Sequence, residues 1–501
     1  MTVGSSMSGN YTRRRGVLMP VFSLPSEYGI GTLGKAAYDF VDRLSECGAS
    51  IWAILPTGVT GYGDSPYQSF SSFALNPYFL DLAMLCDEGL LTKEECDSVD
   101  FGSDPSAVDY GRLYENRFPL LMTAYARAIE KGGTMESIAE FEKTAPWLED
   151  HAVFTALKQM QGGRPWYEWD EGLKMRDPAA LGAVREKIAC EVGFHKFLQM
   201  KLAEQWAKLS DHALKKGVLI MGDLPIYCAY DSADCWAYRE NFLFDKDGRP
   251  VEVAGVPPDY FCEDGQLWGN PLYDWPRMKK DGFSFWMARL RRAAELYSIL
   301  RIDHFRGFAS YYAVPAGAKN AKIGEWRKAE GRALFKKAAE EGLPVEIIAE
   351  DLGFITRDVK LLLANTGFAG MQVMEFAFDS DRKNPHRNKR WDGRPESLRN
   401  KIAYTGTHDN TTMLDWWENA DEETKRIAER YAGTKEDMPF SLMKAIMNCD
   451  ARLAVFPAAD VLMKGAEARI NTPATETGNW TWRMRPDETD LFAGNLKKLF
   501  E

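Results

Sequence analysis

"ILRIDHFRGF", residues 299–308, places two apolar residues before Arg301 and then crowds Asp303, His304 and Arg306 into the next five positions. An apolar lead-in is what a buried strand needs, and a solvated charge run has no use for one. Burying charges is costly unless they are paired. The stretch therefore holds either a structural ion pair or an active site at the end of a strand.

Working outward, the same arrangement recurs along the chain. Short apolar runs bounded by Gly or Pro fall at 16–21, 51–56, 218–224, 299–303, 346–351, 371–376, 402–406 and 453–458, and each reads as a strand. Helical spacing lies between them, as in 33–48 with Gly48 as a stop and 193–217 ending at Gly217. Eight strands alternating with helices predict an α/β fold, a (β/α)8 TIM barrel. The uneven gaps predict large subdomains inserted between barrel strands within one catalytic unit over 1–501. One insertion, mainly helical, spans about 76–215, and an irregular loop insertion rich in Gly, Pro and aromatics spans about 225–285. No C-terminal β-sandwich domain is expected after the last strand.

Charges cluster where such a barrel keeps its active site, at the C-terminal ends of the strands. Asp223 ends one run, Arg301 and Asp303 another, Glu350 a third, and His408 and Asp409 follow a fourth. Arg301 and Asp303 are two apart on a strand and share a face. The guanidinium favours the ionised carboxylate and fixes its orientation, which suits a nucleophile as well as a structural pair. Glu350 follows "IIA", and a carboxyl beside apolar walls favours its protonated form, which suits a general acid. Asp351 points to the opposite face and is an equal candidate by periodicity alone. His408–Asp409 suits sugar hydroxyls, with an ordinary Asp–Asn turn as the bland alternative. Three carboxylates without a Ser–His pair point to glycoside chemistry, where two carboxyl groups are the minimum set.

The totals exclude other classes. A net charge of −11 over 501 residues argues against nucleic acid or an anionic membrane as the main partner. Eight cysteines, none in a C-x-x-C pair, suit a reducing compartment and predict a cytoplasmic protein. Six scattered histidines predict no metal site. "GIGTLG", residues 29–34, matches a dinucleotide fingerprint, but the next strand ends at Thr57 without the acid that motif requires. It reads as a turn and helix start, and no nicotinamide or other cofactor is expected.

Longer stretches carry a resemblance. "SLPSEYGIGTLG", "GYGDSPYQSFSSFALNPYFLDL" (61–82), "GDLPIYCAYDSADCWA" (222–237), "VAGVPPDYFCEDGQLWGNPLYDW" (253–275), "RIDHFRGF", "IAEDLG", "YTGTHDN" and "NTPATETGNWTWR" resemble, nearly end to end, the 4-α-glucanotransferases of glycoside hydrolase family 77 in the α-amylase clan. The resemblance implies transfer of α-1,4-glucan segments between maltooligosaccharides or glucans such as starch, glycogen and amylose. It implies Asp303 as nucleophile, Glu350 rather than Asp351 as general acid/base, and Asp409 as transition-state stabiliser. Arg301 would orient Asp303. His304, His408 and Asp223 would bind sugar hydroxyls. Tyr62 would stack on the sugar with Asp64 beside it. Asp259, Gln266 and Trp268 would belong to a loop over the acceptor. Ala474 stands where glycine is usual in the last signature.

Overall fold

Every apolar run named above holds a strand, and the eight close into one ring. The computed structural model describes residues 13–258, 263–353, 355–379, 384, 386 and 400–501, with residue 62 described for its backbone alone. The barrel strands are β1 Arg14–Leu18, β2 Ile51–Ala53, β3 Leu219–Leu224, β4 Ile299–Ile302, β5 Glu346–Ala349, β6 Gly370–Val373, β7 Lys401–Tyr404 and β8 Leu453–Pro457. They run parallel in sheet order β6-β7-β8-β1-β2-β3-β4-β5. A parallel bridge between Ile348 and Ala369, with the Ala349 N–H donating to the Ala369 carbonyl at 2.8 Å, joins β5 to β6 and completes the circle. All four residues of β4 and of β6 are buried. Burial on both faces is why these strands read as unbroken apolar runs instead of alternating ones.

Helices cover the outside. Lys35–Glu46 buries Ala37, Phe40, Val41 and Leu44, and Phe40 meets Trp52 of β2 edge-on at 5.3 Å. Burying each large apolar side chain of that face stabilises the pair by about 1.5–3 kcal/mol. The glycines of "GIGTLG" have a packing reason. A Cβ on Gly31 would lie 1.7 Å from the Val21 carbonyl oxygen, and one on Gly34 would lie 2.0 Å from a carboxylate oxygen of Asp81. Between β2 and β3 the chain forms a helical cluster that includes Tyr110–Lys131, Thr134–Thr144, Leu148–Met160 and Ala189–Lys215. The last of these packs on both Leu148–Met160 and β3. The C-terminal helix Thr489–Phe500 sets Phe492 against Phe40 and Phe500 against Phe456 of β8. No helix among the described residues is long and apolar enough to cross a membrane.

A second sheet lies beside the barrel mouth. Four antiparallel strands run in the order Gln266–Pro271, Glu252–Val256, Ser310–Pro315 and Glu325–Lys328. Two of them fall inside the stretch read as an irregular loop, where Gly255, Gly269 and Pro271 break any alternation.

Candidate active site

Register brings the first two charges together. Asp223 on β3 pairs directly with Arg301 on β4, so their side chains project to the same face. Arg301 Nη1 donates to Asp223 Oδ2 at 2.5 Å, and Arg301 Nη2 lies 3.1 Å from Asp303 Oδ1. The hydroxyl of Tyr67 donates to the same Asp223 Oδ2 at 2.8 Å. Asp223 Oδ1 is buried with no partner among the described residues.

The backbone beyond β4 is bent to serve Glu350. The Asp303 N–H continues the ladder to Leu224 O at 3.0 Å, and the chain then turns left-handed at His304, with φ 46° and ψ 49°. That conformation costs a non-glycine residue about 1–2 kcal/mol. It aims the His304 N–H at Glu350 Oε2, 2.8 Å away, while the Leu352 N–H donates to Glu350 Oε1, also at 2.8 Å. Glu350 is held in turn by its N–H to Ile302 O at 3.0 Å and by the Phe305 N–H donating to its carbonyl at 3.1 Å. Asp351 faces away. It pairs with Lys401 at the start of β7 and accepts the Met371 N–H of β6 at 2.6 Å, which ties three strands together.

Burial pushes the carboxyls of both Asp303 and Glu350 up from the usual range, the charges of Asp223 and Asp409 raise Asp303 further, and the charge of Asp303 raises Glu350. The pair differs in its cation. Arg301 touches Asp303 and draws it back down, while Glu350 relies on two backbone N–H groups and a more distant guanidinium. The guanidinium contact therefore favours the ionised form at Asp303 more than at Glu350. Burial holds His304 down to about 3 and also lowers His408, so both rings are neutral hydrogen-bonding groups.

The opposite wall comes from the loop after β7. The buried His408 ring stacks on Tyr67 with centroids 4.9 Å apart and meets Trp480 at 5.9 Å. Asp409 is 48% exposed at its side chain and is tethered by Asn471 Nδ2, which donates to Oδ1 at 2.6 Å, and by Arg469, which donates to its carbonyl at 2.9 Å. Its charge is close enough to raise Asp303 further. On the remaining side, the Trp268 ring stands edge-on to His304 at 4.7 Å and donates its Nε1–H to Gln266 Oε1 at 3.1 Å.

Of the three remaining sequence candidates, only Asp64 is described at its side chain. Asp64 has the Tyr78 and Tyr110 hydroxyls as its electrostatic neighbours, and burial pushes its carboxyl up to about 6. The side chain of Tyr62 and the whole of Asp259 lie outside the described residues. Sequence reasoning missed Tyr67. Its one signal was being the second tyrosine of "GYGDSPYQ", five positions after Tyr62.

The family model for glycoside hydrolase family 77, described as 4-alpha-glucanotransferase, matches residues 19–489. The chain belongs to the 4-alpha-glucanotransferase family. It is similar to the 4-alpha-glucanotransferase of Thermus thermophilus, 45% identical over 95% of each chain, and to that of Streptococcus pneumoniae serotype 4, 43% identical over 95% of this chain and 94% of the other. Among solved structures, amylomaltase from Streptococcus agalactiae in complex with acarbose superimposes with a TM-score of 0.93 at 38% identity, covering 97% of this chain and 98% of that one. Membership makes this chain a glycosyltransferase acting on α-glucans.

Proposed function

We propose that the transfer proceeds by a retaining double displacement through Asp303 and Glu350. The Asp303 carboxylate attacks the anomeric carbon of an α-1,4-linked glucosyl unit while the Glu350 carboxyl gives its proton to the departing 4-oxygen. The product is a β-glucosyl ester on Asp303 and a shortened glucan. Glu350, now ionised, takes the proton from the 4-hydroxyl of an acceptor as that oxygen attacks the same carbon. Asp303 leaves, and an α-1,4 bond re-forms with its original configuration. The bonds broken and made are of one kind, so the cycle consumes no cofactor.

The observation that carries this reading is the unequal environment of the two carboxyls: Asp303 against a guanidinium, Glu350 against two amides. Separated proton affinities are what divide a nucleophile from a general acid. Arg301 keeps Asp303 charged and oriented. Asp223, His304 and His408 take sugar hydroxyls, Asp409 braces the hydroxyls as the ring flattens, and Tyr67 offers an aromatic face. Tyr62 and Asp64 would extend that wall along the glucan. Gln266, Trp268 and Asp259 would cover the acceptor side, where excluding water favours sugar over hydrolysis. The substrates are maltooligosaccharides, amylose, starch and glycogen. The free thiols suit a reducing compartment, and we place the enzyme in the cytoplasm.

Incubation with maltotriose tests the reaction. Free glucose together with a ladder of longer oligosaccharides is the expected result. Glucose and maltose alone would mean that water takes the glucosyl unit, and hydrolysis would replace transfer.

A further inference from the structure

A buried carboxyl that the steps above do not use lies beneath the Asp409 loop. Glu375 sits in the turn Met374–Ala377 directly after β6, and its N–H donates to Thr405 O at 3.2 Å, just past β7. Its Oε2 accepts Asn410 Nδ2 at 3.1 Å. Asn410 Oδ1 then accepts both the N–H and the hydroxyl of Thr407, each at 2.9 Å, and Thr407 Oγ1 accepts the Asp409 N–H at 3.3 Å. Contact thus passes from Glu375 through Asn410 and Thr407 to the backbone of Asp409.

The packing around Glu375 is built for a carboxyl of this size. The residue is 9% exposed, and Oε1 has no partner among the described residues. Gly406 makes room for it, since a Cβ there would lie 2.6 Å from Oε1. Burial and the neighbouring Asp460 both favour the neutral acid. The network needs from Glu375 one acceptor oxygen for Asn410, which an uncharged group supplies equally well.

We propose that Glu375 is a positioning residue for glucan transfer, acting through Asn410 and Thr407 to set the loop that presents Asp409 to the reacting sugar. The inference rests on the reading of Asp409 given above. Asn471 holds the Asp409 carboxylate and Arg469 its carbonyl, so Glu375 governs the third point of the mount, the backbone N–H.

The test compares wild type, Glu375→Ala, Glu375→Gln, Asn410→Ala, Asp409→Asn and Glu375→Ala/Asp409→Asn. Each is assayed for kcat, KM and Tm with a maltosyl fluoride donor, which keeps slow variants measurable. Glu375→Gln retains the acceptor oxygen and is expected within about threefold of wild-type kcat. Glu375→Ala is expected to lower kcat by about tenfold or more with KM little changed, a loss confined to the transition state. Asn410→Ala breaks the same relay from its other end and gives the same result should Glu375→Ala fail to fold. On the Asp409→Asn background, removing Glu375 should cost nothing further, because two groups acting as one unit are not additive. Wild-type kcat in folded Glu375→Ala, or an equal loss with and without the Asp409 carboxylate, would overturn the proposal alone. Wild-type kcat in Asp409→Asn would overturn the Asp409 reading and the proposal with it.

Discussion

One guanidinium joins two strands of the site: Arg301 reaches Asp223 of β3 at 2.5 Å and Asp303 beyond β4 at 3.1 Å. Its removal leaves buried Asp223 and part-buried Asp303 without their cation, a change that costs about 3–5 kcal/mol when one partner of a fully buried pair is lost. Arg301→Gln is expected to lower Tm and to reduce kcat at least about a hundredfold, because Asp303 then holds a proton at neutral pH. Arg301→Lys keeps the charge but not the fork that spans both carboxylates, so it should recover most of the stability and little of the activity. Full activity in Arg301→Gln would remove the residue from the mechanism.

The pH profile follows from the same charges. The proposed steps require Asp303 ionised and Glu350 protonated, so kcat/KM should be bell-shaped, with limbs that belong to the coupled pair. His304 contributes no limb, since burial lowers it to about 3, and burial lowers His408 from its ordinary value as well. For stability the sign is set by Glu350, whose folded-state affinity for a proton is raised above its unfolded value. Its contribution is therefore fully present below the ordinary glutamate range and is lost as pH rises through the higher folded value. Glu350→Gln, which stays neutral, should gain Tm relative to wild type at pH 9 and not at pH 4. Thermal melts of both proteins across that range check this, and an equal difference at both ends contradicts it.

Tyr67 has two separable duties. Tyr67→Phe keeps the ring on His408 and loses the donor to Asp223, a hydrogen bond to a charged group worth about 1.5–3 kcal/mol. Tyr67→Ala also loses the stacking, worth about 0.5–1.5 kcal/mol more. The expected order of kcat/KM for maltotriose is wild type, then Phe about tenfold lower, then Ala lower again. Equal values for Phe and wild type would assign Tyr67 to packing alone.

Ala474 carries a conformational cost of its own. It is exposed with φ 64°, the left-handed region where a Cβ costs about 1–2 kcal/mol. Ala474→Gly should raise stability by up to about 1 kcal/mol, the relief being partly offset by the greater freedom of glycine in the unfolded chain. Chemical denaturation checks it, and a destabilised variant would contradict the strain.

The barrel was legible because its strands lie buried on both faces and read as short apolar runs between glycines and prolines. The rim charges were legible because a charge at the end of such a run has few reasons to be there. The antiparallel sheet was not, since Gly255, Gly269 and Pro271 interrupt its strands and half-buried residues blur the alternation. Periodicity left Glu350 and Asp351 level. What separates them is a register of contacts far apart in sequence, Lys401 and Met371 on one and His304 and Leu352 on the other. Tyr67 and Glu375 escaped notice for a similar reason. Each looks like a loop or strand residue until the fold sets Asp223 beside the first and Asn410 beside the second.

The proposed transfer passes through a covalent bond between Asp303 and sugar. The measurement that tests it most directly is mass spectrometry of Glu350→Gln incubated with maltosyl fluoride. Fluoride departs without an acid, so the first step proceeds, while the missing base stalls the second. A maltosyl adduct is expected on the peptide containing residues 299–308, localised to Asp303. An adduct on Asp223, Asp409 or any other residue would contradict it.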